Sequence, residues 1–195
     1  NWNVSGVLNM SGLFQDAISF DQNLSGWNVS NVKFLGAMFY GANVFNQPIG
    51  DWNVSSAIEM NSMFRRARTF NQPLENWDVS KVTSMESMFW KASSFNQPIG
   101  NWNVSQVTNM HGMFGDDGQY NGAYTSAFNQ DISKWDTSYV TKMKSMFWNA
   151  VNFNQDLSDW NVSAVTDMNR TFYGTITLSN ANKGLMHESF SSNPN

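Results

Sequence analysis

The residue types that carry most enzyme chemistry are scarce in this sequence of 195 residues. It contains no cysteine and only two histidines, His111 and His187, which leaves almost no material for thiol nucleophiles, histidine triads or histidine metal clusters. His111 occupies a repeat position that holds Ser, Asn, Glu or Lys in other copies, as expected of a solvated face. The carboxylates are scattered and form no pair for acid–base work. The sequence therefore predicts a protein that is not an enzyme and has no cofactor and no metal site.

A second set of side chains is suited to binding. One position of the repeat holds mainly aromatic residues and arginine, and rigid amphipathic rings of this kind are typical of glycan- and protein-binding surfaces. The favoured interpretation is nevertheless that these rings pack between adjacent helices of the repeats, and a binding surface is the alternative. We call this position the aromatic stripe. Its candidate binding residues are Tyr40, Arg65, Trp90, Trp148 and Tyr173.

Three arginines near the stripe allow two interpretations. Arg65, Arg66 and Arg68 are the one local concentration of positive charge in the chain. They are either a solvated patch, which is the favoured interpretation, or the rim of a site for an anionic ligand.

All these positions belong to a repeat that begins at a tryptophan. Five tryptophans follow one another at intervals of 25 residues, a spacing of 33 separates the fifth from the sixth, and 25 recurs before the seventh. The repeat reads W-[ND]-V-S-x-V-x-x-M-x-x-M-F-x-x-A-x-x-F-N-Q-[PD]-[IL]. A fixed period between about 20 and 50 residues is the signature of a solenoid. The seven tryptophans are Trp2, Trp27, Trp52, Trp77, Trp102, Trp135 and Trp160.

Hydrophobic spacing within the repeat predicts one helix and one strand. Met85, Met88, Phe89 and Ala92 are spaced as one face of a helix of about two turns, and the threonine two residues earlier predicts its N-cap. The alternation of the Trp-x-Val segment predicts a short inward-facing strand, parallel to its equivalents. We therefore expect an α/β, leucine-rich-repeat-like solenoid of about seven 25-residue repeats, each a short parallel strand plus a two-turn helix.

Neighbouring repeats are expected to share one core, because a single repeat buries too little apolar surface to offset the entropy of ordering its backbone. The predicted core residues are Trp27, Trp52, Trp77, Trp102, Trp135, Trp160, Met63, Phe64, Met88, Phe89, Met113 and Phe114.

A polar position lies between two apolar positions of the repeat. Buried polar groups need partners, so we expect these asparagines to form a polar ladder by bonding to backbone groups of adjacent repeats. A ligand-binding role is the less favoured alternative. The polar ladder consists of Asn46, Asn71, Asn96, Asn129 and Asn154.

The domain prediction is a repeat solenoid over residues 1–179, followed by a C-terminal cap or tail over residues 180–195. The spacing of 33 places an eight-residue insertion within residues 115–127. Insertions in repeat arrays often lie on the binding face, which makes Tyr120 and Tyr124 further candidate binding residues. Asp116 and Asp117 resemble a calcium loop only faintly, so a plain surface loop is favoured.

Composition excludes several classes of protein. The chain is 15% aromatic and 13% charged with a net charge of -4, which argues against intrinsic disorder and against binding of nucleic acid. No run approaches the roughly 18 apolar residues of a membrane helix. Because the sequence opens in mid-pattern, we expect an apolar face at that end which a preceding repeat, another domain or a second molecule would cover.

The repeat spelling, as in residues 102–110 (WNVSQVTNM), resembles the BspA-like bacterial surface protein repeat, also found in lipoproteins of mycoplasmas. The resemblance covers residues 2–172. It implies a leucine-rich-repeat-like fold, an extracellular or cell-surface location, and adhesion to a protein or glycan of a host or a neighbouring cell. It offers no catalytic residues. Leu13 and Leu35 stand in methionine positions, and Ala57 in a valine position.

The sequence is compatible with three functions. The leading hypothesis is a non-catalytic surface protein that mediates adhesion through a repeated binding face. The first alternative is a structural protomer of a filament or surface layer, which self-associates through its N-terminal end. The second alternative is a polysaccharide- or ice-binding face. Leu8, Lys33 and Ile58 in an otherwise threonine-rich position argue against ice.

Overall fold

The repeats stack on one another as seven similar turns of chain. The computed structural model describes residues 2–118 and 125–191. We call each turn a rung; rung 1 begins at Trp2 and rung 7 at Trp160. Successive rungs are joined at single-residue parallel bridges, and the bridge between rungs 5 and 6 forms despite the insertion. The bridging residues are Asn9, Phe34, Glu59, Ser84, Asn109, Lys142 and Asp167.

The predicted α/β leucine-rich-repeat-like solenoid is wrong. No described part of any rung contains a helix, and the Trp-x-Val segments form no extended strand. Among the described residues the single helix is α1, Asn180–Phe190, which follows the last rung.

The Met-Met-Phe block is a series of β-turns instead of a helix. In rung 3 the N–H of Met63 donates to the carbonyl of Met60 at 3.2 Å, and a second turn follows from Phe64 to Ala67. Ser62, the third residue of the first turn, has a φ of 57°, as a type II turn requires. Consecutive turns direct the four apolar residues inward at the spacing of a helix face, which explains the wrong prediction.

Alternate N–H groups of the block donate to the next rung. Ser62 N–H donates to the Glu86 carbonyl at 2.8 Å, and Phe64 N–H donates to the Met88 carbonyl at 2.9 Å. In an α-helix these groups would bond to carbonyls of their own segment. The backbone of the block is therefore held by its neighbour, and an isolated repeat would lack half of these bonds.

The threonine position is part of the stacking and caps no helix. Thr83 N–H donates to the Ile58 carbonyl at 3.0 Å, and its hydroxyl donates to the same carbonyl at 3.2 Å. Thr108, Thr141 and Thr166 bond to the preceding rung in the same way. The predicted N-cap role is thus wrong, because there is no helix to cap.

Two columns of phenylalanine fill the centre of the stack. Phe64 stacks on Phe39 and Phe89 of the adjacent rungs at 5.7 and 5.6 Å between ring centroids. Within its own rung it stacks on Phe70 at 4.1 Å, and the Phe70 column continues alongside. Offset stacking of this kind adds to the stabilisation from apolar burial.

Tryptophans close the core beside the phenylalanines. The indole N–H of Trp77, the first residue of rung 4, donates to the Ile49 carbonyl near the end of rung 2 at 3.1 Å, so that the ring is buried without an unpaired polar atom. Trp27 is half-buried. All the other predicted core residues are buried: Trp52, Trp77, Trp102, Trp135, Trp160, Met63, Phe64, Met88, Phe89, Met113 and Phe114.

The polar ladder runs along one side of this core. Asn71 N–H donates to Oδ1 of Asn46 at 2.9 Å, and Asn96 N–H donates to Oδ1 of Asn71 at 2.9 Å. Asn129 and Asn154 continue the series. In rung 1 a carboxylate takes the same role, since Asp21 accepts from Asn46 N–H at 2.9 Å.

Helix α1 ends the ladder. Ser179, whose hydroxyl accepts from Asn182 N–H as the helix N-cap, donates its own N–H to Oδ1 of Asn154 at 2.9 Å. The Asn182 amide donates to the Asn154 carbonyl at 3.1 Å, and Met186 is buried against the stack. α1 therefore occupies the place of a further rung. None of the helical structure described combines the length and hydropathy needed to cross a membrane.

Replacing Asn71 by alanine tests the ladder. The substitution removes the acceptor of the Asn96 N–H, and leaving such a group unpaired costs about 1–3 kcal/mol. We expect the free energy of unfolding in urea to fall by that amount. Asn71→Asp is the matched control, because Asp21 shows that a carboxylate can accept the same bond. Equal losses in the two variants would contradict a role for the Oδ1 acceptor.

Replacing Ser62 by glycine tests whether the Met-Met-Phe block of rung 3 forms β-turns or a helix. A non-glycine residue in the left-handed region costs about 1–2 kcal/mol, so glycine at a φ of 57° should raise the free energy of unfolding by up to about 1 kcal/mol. In a helix interior the same change would lower it by about 1 kcal/mol. Thermal unfolding of the two proteins gives the sign, and destabilisation would contradict the turn.

Candidate functional site

The aromatic stripe forms a continuous series of contacts along the stack. The guanidinium carbon of Arg65 lies 5.6 Å from the ring centroid of Tyr40 and 5.8 Å from that of Trp90. Trp90 meets Trp148 in a T-shaped contact at 6.0 Å, and Trp148 meets Tyr173 in another at 6.3 Å. The structure thus brings together five of the predicted binding residues.

Trp90 reaches Trp148 across a whole rung because the residue between them is glycine. A Cβ on Gly115 would lie 2.7 Å from Cζ3 of Trp90, and one on Gly112 would lie 2.7 Å from its Cε3. The indole therefore lies directly over the backbone of rung 5. A side chain at either glycine would displace it and interrupt the stripe.

Exposure changes along the stripe. Trp90 is 7% exposed, Tyr40, Arg65 and Trp148 are half-buried, and Tyr173 is 64% exposed. The predicted packing between repeats holds for Trp90. The other members combine packing on one side with access from solvent on the other.

The stripe also holds side-chain donors without partners. In the described ranges, three nitrogens of the stripe are buried and make no hydrogen bond: the indole nitrogens of Trp90 and Trp148 and Nε of Arg65. The same holds for Nε of Arg66, which lies beside the stripe. Buried polar atoms in proteins are nearly always paired. The core tryptophans follow that rule, as Trp77 does, so the unpaired indoles distinguish the stripe from the core.

Arginines add positive charge along the stripe. Arg66 lies 5.8 Å from the Tyr40 ring and Arg170 lies 5.0 Å from the Trp148 ring. Arg170 was not predicted from the sequence, because its repeat position holds serine, glycine or alanine in other rungs. Guanidinium groups over aromatic faces provide charge and hydrogen-bond donors at fixed positions.

A buried charged group lies beside the stripe, where the insertion begins. Lys91 forms an ion pair with Asp117, and their side chains are 2% and 23% exposed. The neighbouring Asp116 is 3% exposed, and its burial raises the pKa of that carboxyl. The Gly118 N–H and the charges of Lys91 and Arg68 oppose the rise in pKa, whereas Asp117 adds to it. This cluster contradicts a plain surface loop at residues 116–117.

The remaining predicted residues add nothing to the aromatic stripe. Tyr120 and Tyr124 lie outside the described residues. His111 is half-buried, and its N–H donates to Asn109 Oδ1 at 3.0 Å. In residues 2–118 and 125–191, no three histidine, aspartate or glutamate side chains are grouped so as to hold a metal ion.

Comparison with known proteins identifies a family. The family model described as "Mycoplasma protein of unknown function, DUF285" matches residues 1–72, 27–126 and 121–189. Neither curated proteins nor solved structures give a match. The matches support the mycoplasma repeat family expected from the sequence, without the narrower BspA-like assignment. Because the three matches together span nearly the whole chain, this repeat protein belongs to the DUF285 family.

Proposed function

We propose that this protein is a non-catalytic protein of the cell surface or extracellular space that mediates adhesion, with the aromatic stripe as its binding face. One observation carries the proposal. The stripe is the part of the described surface where contacting aromatic rings and guanidinium groups lie together.

The chemistry of the stripe suits a protein or glycan surface. The accessible faces of Trp148 and Tyr173 can pack on the apolar face of a sugar ring or on apolar side chains. The half-buried Arg65 side chain supplies guanidinium donors for hydroxyl or carboxylate oxygens. The partner we propose is therefore a surface protein or glycan of a host or neighbouring cell.

The construction of the stack favours such binding. The rungs hold the rings in contact with one another before a partner arrives, which lowers the entropy lost on binding. Similar groups recur along the stripe, so that weak contacts to a repetitive partner add up. The resemblance of the repeat to the BspA-like surface proteins supports the same proposal.

Two substitutions at the accessible end of the stripe test adhesion. We expect the intact chain to be retained on a glycan array or on cultured host cells, and Trp148→Ala and Tyr173→Ala each to lower retention about tenfold, as expected when an aromatic anchor is lost. Tyr139→Ala is the control, since Tyr139 is 65% exposed and lies outside the stripe. Equal retention of all four proteins would contradict the proposal.

Self-association is a second candidate function, favoured by the apolar surface of rung 1. Trp2 is 67% exposed and stacks on Trp27 at 5.9 Å, and together with Phe14 and Phe20 these rings line an open apolar pocket. Helix α1 covers the other end of the stack. Contact between the rung 1 surfaces of two copies would pair them about a two-fold axis.

Sedimentation equilibrium tests that pairing. We expect the chain to form dimers as its concentration rises, and Trp2→Ser to remain monomeric because it removes the largest exposed ring from the contact. Tyr139→Ser removes an equally exposed ring elsewhere and should leave the dimer intact. A wild-type protein that stays monomeric at every concentration would exclude this function.

A further inference from the structure

Lys91 is the most deeply buried cation described in this protein. Its backbone lies in the left-handed region at a φ of 60°, and its side chain is 2% exposed, with Nζ against the carboxylate of Asp117. Lysine is almost never fully buried unless it is paired, and burying both members of an ion pair carries a large desolvation cost. Neither the fold nor the aromatic stripe requires a lysine here, since Gly41 and Gly174 occupy the same position in other rungs.

We propose that Lys91 and Asp117 are joined by an isopeptide bond, formed without any other reactant once the chain has folded. The bond is an amide between Nζ of Lys91 and Cγ of Asp117. It would be a covalent modification of the stack at the point where the insertion leaves rung 5.

The reaction is a condensation that releases one water molecule. Transfer of a proton from the ammonium to the carboxylate within the ion pair gives a neutral amine and a carboxylic acid. The lone pair of Nζ then attacks Cγ, and the N–C bond forms. One C–O bond breaks, and the hydroxyl leaves as water with a second proton from the nitrogen. Nothing is oxidised or reduced, and no cofactor takes part.

The surroundings favour this reaction in two ways. Condensation replaces two buried charges by one neutral amide, which removes their desolvation cost. Holding the amine against the carboxyl also replaces a bimolecular encounter by an intramolecular one, and effective molarities for such reactions reach about 10⁵–10⁸ M. The Lys91 side chain is 2% exposed, which limits the access of water to Nζ.

Asp116 is suited to move the protons. Its carboxyl is buried, and it lies within the electrostatic influence of both Lys91 and Asp117. Burial raises its pKa, which increases the share of the protonated acid near neutral pH. A protonated carboxyl can donate to the departing oxygen and take the proton released by the amine.

The intact mass of the purified chain tests the proposal. We expect a mass below that of the sequence by one water, and a branched peptide linking Lys91 to Asp117 after digestion. Lys91→Met and Asp117→Ala should both have their full sequence masses. Asp117→Asn should form the same amide with loss of ammonia, and Asp116→Ala should slow the reaction at least tenfold.

A cyclic imide provides the main alternative source of a water loss. Asp117 is followed by Gly118, and an aspartyl-glycine pair can lose water on its own to form a succinimide. Water loss that persists in Lys91→Met, with no branched peptide in the wild type, would overturn the proposal. A wild-type chain that keeps its full sequence mass after prolonged incubation would overturn it as well.

Discussion

The fold depends on one constraint: some backbone N–H groups of each rung bond to carbonyls of their own turn, and others bond to carbonyls of the neighbouring rung. In the Met-Met-Phe blocks of rungs 1–6, one set of N–H groups closes β-turns within the rung, and the alternate set donates to the next rung. The alternation requires left-handed residues at fixed positions, here Ser62 and Arg66. Once those positions are set, the apolar residues of the block must face inward, and the phenylalanines of successive rungs must stack.

The same constraint shapes the surface. A residue next to the stacked phenylalanine recurs at the same place on every rung, so a run of aromatic residues in that position becomes a line of touching rings. Gly115 breaks the run in the sequence but extends the contact in space, because Trp90 fills the room that a side chain would take and reaches Trp148. The insertion begins at this point without disturbing the bridge between Asn109 and Lys142.

The repeat period, the buried core positions and the polar ladder could be predicted from the sequence, because each depends only on which side chains recur. The prediction failed on the backbone. Met60, Met63, Phe64 and Ala67 recur at intervals that a helix face and a pair of β-turns produce equally, and side-chain spacing alone does not separate the two. The sign of a turn was present in Gly12 and Gly112, which hold the position of Ser62 and are poor choices for a helix interior.

The charged cluster at the insertion could not be predicted from the sequence, for a different reason. Lys91 and Asp117 lie in different rungs, and only the stacking brings them together. The partner of Arg170 likewise depends on the path of rung 7. Contacts of this kind depend on variable positions, about which a repeat consensus carries no information.

The uniformity of the rung junctions bears on how such a chain can evolve. The junctions between rungs 1 and 6 use the same backbone donors and the same two phenylalanine columns, so the gene can gain or lose one of these rungs by duplication or deletion and leave both flanking surfaces matched. Loss of a single codon inside the Met-Met-Phe block would instead shift Ser62 and Arg66 out of the left-handed positions. The number of repeats can therefore change in whole units, whereas the spacing of residues within each repeat cannot.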